Sequence, residues 1–197
     1  MGGDLKEGGD GQALAPLFPL HTVMFPGGVL TLHLFEARYQ LLVREGHDFV
    51  IVLIRSGSEV GRGGVEGVHP VGTMATATRV KPLPEGDFSV VVHGLHRVRI
   101  LSVDRTGPYL RGLVERLPDP VTPSCPWLVA ALGRRLAKHG VLLTPEVTAE
   151  LVDPTGEGPI RAVWLAGAMH QGPPVRRQRL LESGNPDLAE LLLDEAI

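Results

Sequence analysis

Four prolines stand within nine residues of the stretch LPDPVTPSCP, at Pro118, Pro120, Pro123 and Pro126. Proline carries no backbone donor and locks φ, so neither a helix nor a central strand runs through such a segment. The character of the chain changes across it. Before it, short runs of β-branched and aliphatic residues are cut by turn signals, and after it apolar residues recur at helical spacing. The expected fold class is α+β, with a β part over residues 16–117, a linker over 118–126 and a helical part over 127–197. Residues 1–15 hold too much glycine to keep a helix and are expected to be a disordered tail. With 197 residues, 43% of them apolar, the chain is long enough to bury a core.

In the β part, APLFPL and VLTLHLF read as strands joined by a turn at Pro26, Gly27 and Gly28. A helix follows, with Phe35, Tyr39 and Leu42 or Val43 on one face and Gly46 as its left-handed stop. On this reading Phe35 and Tyr39 plug one end of a barrel, while Glu36 and Arg38, two apart on a helix, do not pair. FVIVLI is a continuous apolar run of strand length, expected to be buried on both faces. VGTMATATRV, FSVVVHG, HRVRILSV and YLRGLVERL complete about seven strands, which favours a closed or nearly closed barrel. SGSEVGRGGVEG is read as a mobile loop. In the helical part, Trp127, Leu128, Ala131, Leu132 and Leu136 form one stripe, and Thr144 with Pro145 caps a second helix. A third runs from about 159 to 171 with Ile160, Val163, Trp164 and Gly167 inward. Gly184 ends a fourth, and Asn185 with Pro186 starts a fifth.

Composition removes several function classes. Nineteen basic residues against 22 acidic ones give a net charge of −3, so no general cationic field attracts nucleic acid. One cysteine, Cys125, excludes an internal disulfide and a Cys-rich zinc site. No signal-peptide core and no apolar run of membrane-spanning length is present, so a cytoplasmic protein with no membrane partner is expected. No Gly-Lys dipeptide exists, hence no phosphate loop for ATP, and no Gly-x-Ser-x-Gly elbow occurs. The histidines lack ligand spacing, so no metal and no cofactor is expected.

The segments PLFPL, FPG, FEARY, VGT and GLHRVR stand in that order, at Pro16 to Leu20, Phe25 to Gly27, Phe35 to Tyr39, Val71 to Thr73 and Gly94 to Arg99. Together they resemble the N-terminal substrate-binding domain of Lon proteases, in its free-standing form. The resemblance implies a PUA-like β pseudo-barrel with one early helix, followed by a C-terminal helical bundle. It also implies a non-catalytic role in holding protein substrates, because the ATPase and Ser-Lys peptidase of Lon lie in later domains.

The expected function is therefore a non-enzymatic polypeptide-binding module, with unfolded or partly folded chains as partners and a separate protease as a further one. Its surface is placed in the groove where barrel meets bundle, with Met24 and Phe25 as apolar contacts and Arg97 and Arg99 at the rim. The alternative for Met24 and Phe25 is ordinary core. Two other functions stay open. Arg97, Arg99 and Arg111 on neighbouring strands would form a basic stripe for RNA, although exposed aromatics for base stacking are few. A small-molecule enzyme would use the cleft between the two parts.

Overall fold

The structure, a computed structural model, describes residues 7–8, 12–57 and 65–194. The chain divides into two compact units, Met1–Pro118 and Asp119–Ile197. The first contains β1 (Glu7–Gly8), β2 (Gln12–Leu20), β3 (Val29–Leu34), α1 (Ala37–Glu45), β4 (Phe49–Gly57), β5 (Val65–Val68), β6 (Val71–Pro82), a 3-10 turn at Pro84–Gly86, β7 (Phe88–Asp104) and β8 (Arg111–Arg116). The second contains α2 (Pro126–Ala137), α3 (Pro145–Val152), α4 (Gly158–Met169), α5 (Pro174–Ser183) and α6 (Pro186–Asp194).

The strands of the first unit close on themselves. β2 pairs antiparallel with β8, β8 with β7, β7 with β6 and β6 with β4, and β4 returns to β2 in parallel through Leu17↔Val50 to Leu20↔Leu53. A parallel pair needs a crossover connection, and β3 with α1 supplies it. β2 serves two neighbours, its first half binding β8 and its second half β4. β3 lies outside this ring on the edge of β7, paired from Val29↔His93 to Leu34↔Phe88.

β4 shows why the ring holds. Its Val50 and Val52 join Ala15, Leu17, Met74, Val98 and Val114, a cluster drawn from all the ring strands that fills the barrel. Its Phe49 and Ile51 point the other way, into a cluster with Phe18, Leu32, Leu34, Tyr39, Leu42 and Val92 that β3 and α1 cover. Alternate residues of a strand face opposite sides, so an unbroken apolar run is what two cores require. FVIVLI is buried throughout, as its sequence predicts.

Several expected element boundaries differ from the structure. FSVVVHG and HRVRILSV are one strand of 17 residues, β7, rather than two. Gly94 does not break it; Leu95 is an extra residue between the pairs Ala75↔Gly94 and Met74↔His96, and the strand bends there without stopping. The first strand starts at Gln12 rather than after residue 15, while residues 1–6 and 9–11 of the expected tail lie outside the described residues. The Gly-rich loop ends in β5, whose Val68 pairs with Ile54, and residues 58–64 of that loop lie outside the described residues. Pro126 belongs to the first turn of α2, where its missing N–H costs nothing, rather than to a linker.

In the second unit the caps follow the sequence. Thr144 Oγ1 accepts from the Val147 N–H at 3.4 Å, and Asn185 Oδ1 accepts from the Asp187 N–H at 2.8 Å. Gly184 ends α5 in the left-handed conformation at φ 63°. Leu128, Ala131 and Leu132 are buried as expected, and Ile160, Val163 and Trp164 line the inner face of α4. Trp127 departs from its stripe and is 39% exposed, because it sits at the first turn of α2, one residue before the buried Leu128 and Val129.

Candidate functional site

The turn between β2 and β3 collects several of the sequence motifs. Gly27 adopts φ +75°, which favours glycine. Its N–H donates to the Gly94 carbonyl at 2.9 Å, and the Gly94 N–H donates back to Gly28 at 2.9 Å. A Cβ on Gly94 would stand 2.5 Å from the Phe25 carbonyl oxygen, so only glycine fits this approach. Thr73 Oγ1 donates to the Met24 carbonyl at 2.7 Å, while Gly72 lets β4 come close, since a Cβ there would be 2.7 Å from the Ile51 oxygen. The Phe-Pro-Gly, Val-Gly-Thr and Gly-x-x-Arg patterns are thus one buried junction of turn, β6 and β7.

The residues expected to bind lie in this junction and on β7. Met24 and Phe25 are core, 3% and 1% exposed, as in the alternative reading of them. Arg97 is also buried at 4%; its Nη2 donates to the Pro118 carbonyl at 2.6 Å, and its own carbonyl accepts from Leu117 N–H at 3.0 Å. Arg99 reaches solvent and pairs with Glu115 across the β7–β8 ladder at 3.3 Å. Arg111 stacks its guanidinium 5.4 Å from the Tyr109 ring centre. The expected stripe of Arg97, Arg99 and Arg111 is therefore interrupted by a buried arginine, an acidic partner and an aromatic ring.

A groove that the sequence reading did not identify lies nearby in the same unit. Phe18, Pro19 and Leu20 at the end of β2 form one wall, His33 and Leu34 at the end of β3 the other, and Phe35, Glu36 and Tyr39 at the start of α1 close it, around about 70 Å³. Phe18 and Tyr39 pack with ring centres 4.2 Å apart and Phe18 meets Phe49 at 5.7 Å, so the floor is fixed by the core. Tyr39 plugs the structure as expected; Phe35 does not, being 52% exposed. The helix begins at Ala37 with Glu36 as its N-cap, which puts Phe35 just outside it. A residue in that place is normally held by an apolar residue at the fourth helical position. Here that position is Gln40, whose amide instead donates to the carbonyls of Leu34 and Gly86, each at 3.2 Å. Phe35 is left at the surface with its ring edge against His33, 5.9 Å between centres.

The rim of this groove is polar and internally paired. His33 Nε2 lies 2.7 Å from Asp87 Oδ2, and the Arg38 guanidinium lies 2.9 Å from Glu36 and 4.7 Å from the Tyr39 ring centre. Glu36 and Arg38 do pair, against the expectation, because Glu36 is extended at φ −81°, ψ 129° and so is not yet helical. An aromatic anchor beside an apolar floor, with polar groups at the edge, has the composition of a binding site. A larger recess of about 480 Å³ between α2 and α3 is lined almost wholly by aliphatic groups, Leu142 at 79% exposure among them, and Thr148 is its only polar lining residue.

The described residues contain no cluster of three or more His, Cys, Asp or Glu placed to hold a metal. Cys125 is buried, and burial with the nearby Asp187 carboxylate pushes its thiol up, away from nucleophilic thiolate. Burial and the hydrogen bond to Glu45 likewise hold the Tyr109 phenol above its usual value. No helix among the described residues is long and apolar enough to cross a membrane.

Solved structures share this fold. A crystal structure of a Lon N-terminal domain protein from Xanthomonas campestris superposes with a TM-score of 0.69 at 24% identity, over 94% of this chain and 99% of that one. The N-terminal domain of Lon protease from the Mycobacterium avium complex gives 0.63 at 18% identity, over 92% and 96%. In sequence, Lon protease 2 of Myxococcus xanthus is 33% identical over 148 residues, 70% of this chain but 18% of that protein, and Lon protease of Anaeromyxobacter dehalogenans is 29% identical over 153 residues, again 18% of its length. The chain therefore spans about a fifth of the curated relatives it matches. The family model of the ATP-dependent protease La (LON) substrate-binding domain matches residues 15–189, and the chain belongs to that family.

Proposed function

We propose that this chain binds polypeptides without acting on them chemically, and that the groove between the ends of β2 and β3 takes part in that binding. The observation that carries this reading is the match of a substrate-binding domain over residues 15–189. The geometry adds an anchor of suitable type. Phe35 is exposed beside a floor held by Phe18 and Tyr39, and a large ring half out of solvent is the kind of group that dominates protein contacts. The partners are unfolded or partly folded chains, whose apolar side chains are free to enter the groove.

The test is capture of a permanently unfolded protein, such as reduced and carboxymethylated lactalbumin, followed by fluorescence anisotropy with the native form as control. The expected result is preferential binding of the unfolded form, weakened about tenfold by Phe35→Ala. Equal binding of both forms, or none, overturns the reading. The same preparation is expected to hydrolyse neither ATP nor casein, and turnover that a single substitution abolishes would contradict the non-catalytic half of the proposal.

A further inference from the structure

The groove continues into a free strand edge. β3 pairs with β7 on one side only, and it joins no other strand of the described residues. Along Val29–Leu34 no backbone group bonds anything among the described residues beyond the β7 ladder, except the Leu34 carbonyl, which takes the Gln40 amide. The facing end of β2, Phe18–Leu20, is likewise paired on one side, with β4, whereas the Leu17 N–H still donates to the Leu110 carbonyl at 2.8 Å. The groove lies between these two half-paired strands.

Natural sheets protect an open edge with proline, lysine, a bulge or a covering segment, because an unpaired row of N–H and C=O groups recruits another chain. β3 has none of the first three. Its sequence is VLTLHL, without a proline or a formal charge at neutral histidine, and its register with β7 runs unbroken from end to end. Its side chains alternate, Leu32 and Leu34 inward and Val29, Thr31 and His33 outward, so the strand is fixed in place by its core face while its second edge pairs with no strand of the described residues.

From this we infer that β3 is a strand-addition site: an extended, uncharged segment of a client polypeptide pairs with its free edge and places an apolar side chain in the groove beside Phe35. The inference rests on the polypeptide-binding reading and names its mode. Backbone pairing supplies affinity that is indifferent to sequence, and a pocket at one end supplies selection of one side chain, as in other cases of strand addition. The charge pattern favours an uncharged occupant, since the edge itself carries no Lys, Arg, Asp or Glu and the carboxylates at its end are already engaged, Asp87 by the His33 imidazole at 2.7 Å and Glu36 by Arg38 at 2.9 Å. β3 is six residues long, so at about 3.3 Å per residue it accommodates a segment of about six residues.

The test uses a synthetic peptide of alternating leucine and threonine with a lysine at each end, and the same peptide N-methylated through its core, which keeps the side chains and removes every backbone donor. The expected result is saturable binding of the first, at least about tenfold weaker binding of the second, and slowed amide exchange in the first complex at alternate residues of Val29–Leu34. Equal affinity for the two peptides, or protection elsewhere in the chain with none at β3, overturns strand addition while leaving polypeptide binding intact. Failure of both peptides while unfolded lactalbumin is still captured also overturns it. Failure of peptides and lactalbumin together removes the underlying reading. Concentration-dependent dimerisation that protects the β3 amides without peptide would give the edge to a second copy of the chain and likewise overturn the proposal.

Discussion

At the residue scale, Phe25 and Phe35 differ in what surrounds them, although both are phenylalanines at an apparent turn. Phe25 is 1% exposed and its carbonyl is in the close approach to Gly94. Phe25→Ala is expected to lower stability by about 3–5 kcal/mol, the range for emptying a buried aromatic site, read as a fall in the denaturation midpoint. Phe35→Ala is expected to leave the same midpoint nearly unchanged, because the side chain is 52% exposed. Gly94→Ala forces a Cβ against the Phe25 carbonyl, a backbone atom that has no rotamer to move, and is expected to cost about 1–3 kcal/mol. Cys125 is the N-cap of α2, a place that by itself favours thiolate, yet burial and Asp187 act against the charge. Its thiol is therefore protonated at neutral pH, and iodoacetamide is expected to modify it slowly in the native protein and quickly in urea. Equal rates in the two states would contradict the burial.

At the scale of elements, the second unit rests on caps that are local and separable. Asn185 accepts the Asp187 N–H at 2.8 Å from an exposed position, so Asn185→Ala is expected to cost about 1 kcal/mol, with little change elsewhere in the unit. Such caps were legible in the sequence because their chemistry lies within three or four residues. β4 was legible for a related reason, since a run apolar at both odd and even positions has no solvent face to choose. Gly94 was misread because glycine in a strand signals either a break or a close approach, and only the position of Phe25, 69 residues earlier in the chain, decides between them. Phe35 was misread by extending the helical period one turn too early, although Gln40 at the fourth helical position was a visible sign that no staple would hold it. The groove itself was not legible at all. It exists because the β2–β4 pairing and the β3–β7 pairing set two distant segments side by side, and no local pattern records that.

At the scale of the whole molecule, the ring of β2, β8, β7, β6 and β4 is complete within residues 1–118, and every strand in it finds both neighbours there. A closed barrel leaves no ring strand dependent on an outside partner. Its two clusters, one inside the ring and one under β3 and α1, are also composed only of residues up to Val114. Residues 1–118 are therefore expected to fold alone, with a cooperative thermal transition and strand-rich circular dichroism. The end point of such a fragment matters. Leu117 N–H donates to the Arg97 carbonyl at 3.0 Å and Arg97 Nη2 donates to the Pro118 carbonyl at 2.6 Å, and Arg97 is buried. A fragment stopped at Arg116 loses both bonds and leaves a guanidinium without that acceptor, a change expected to cost about 1–3 kcal/mol relative to the fragment stopped at Pro118. Urea denaturation of the two fragments measures the difference directly. If they unfold at the same midpoint, the last two residues of the barrel contribute nothing to it and Arg97 is held by other contacts; if the longer one shows no cooperative transition, the barrel is not an independent folding unit.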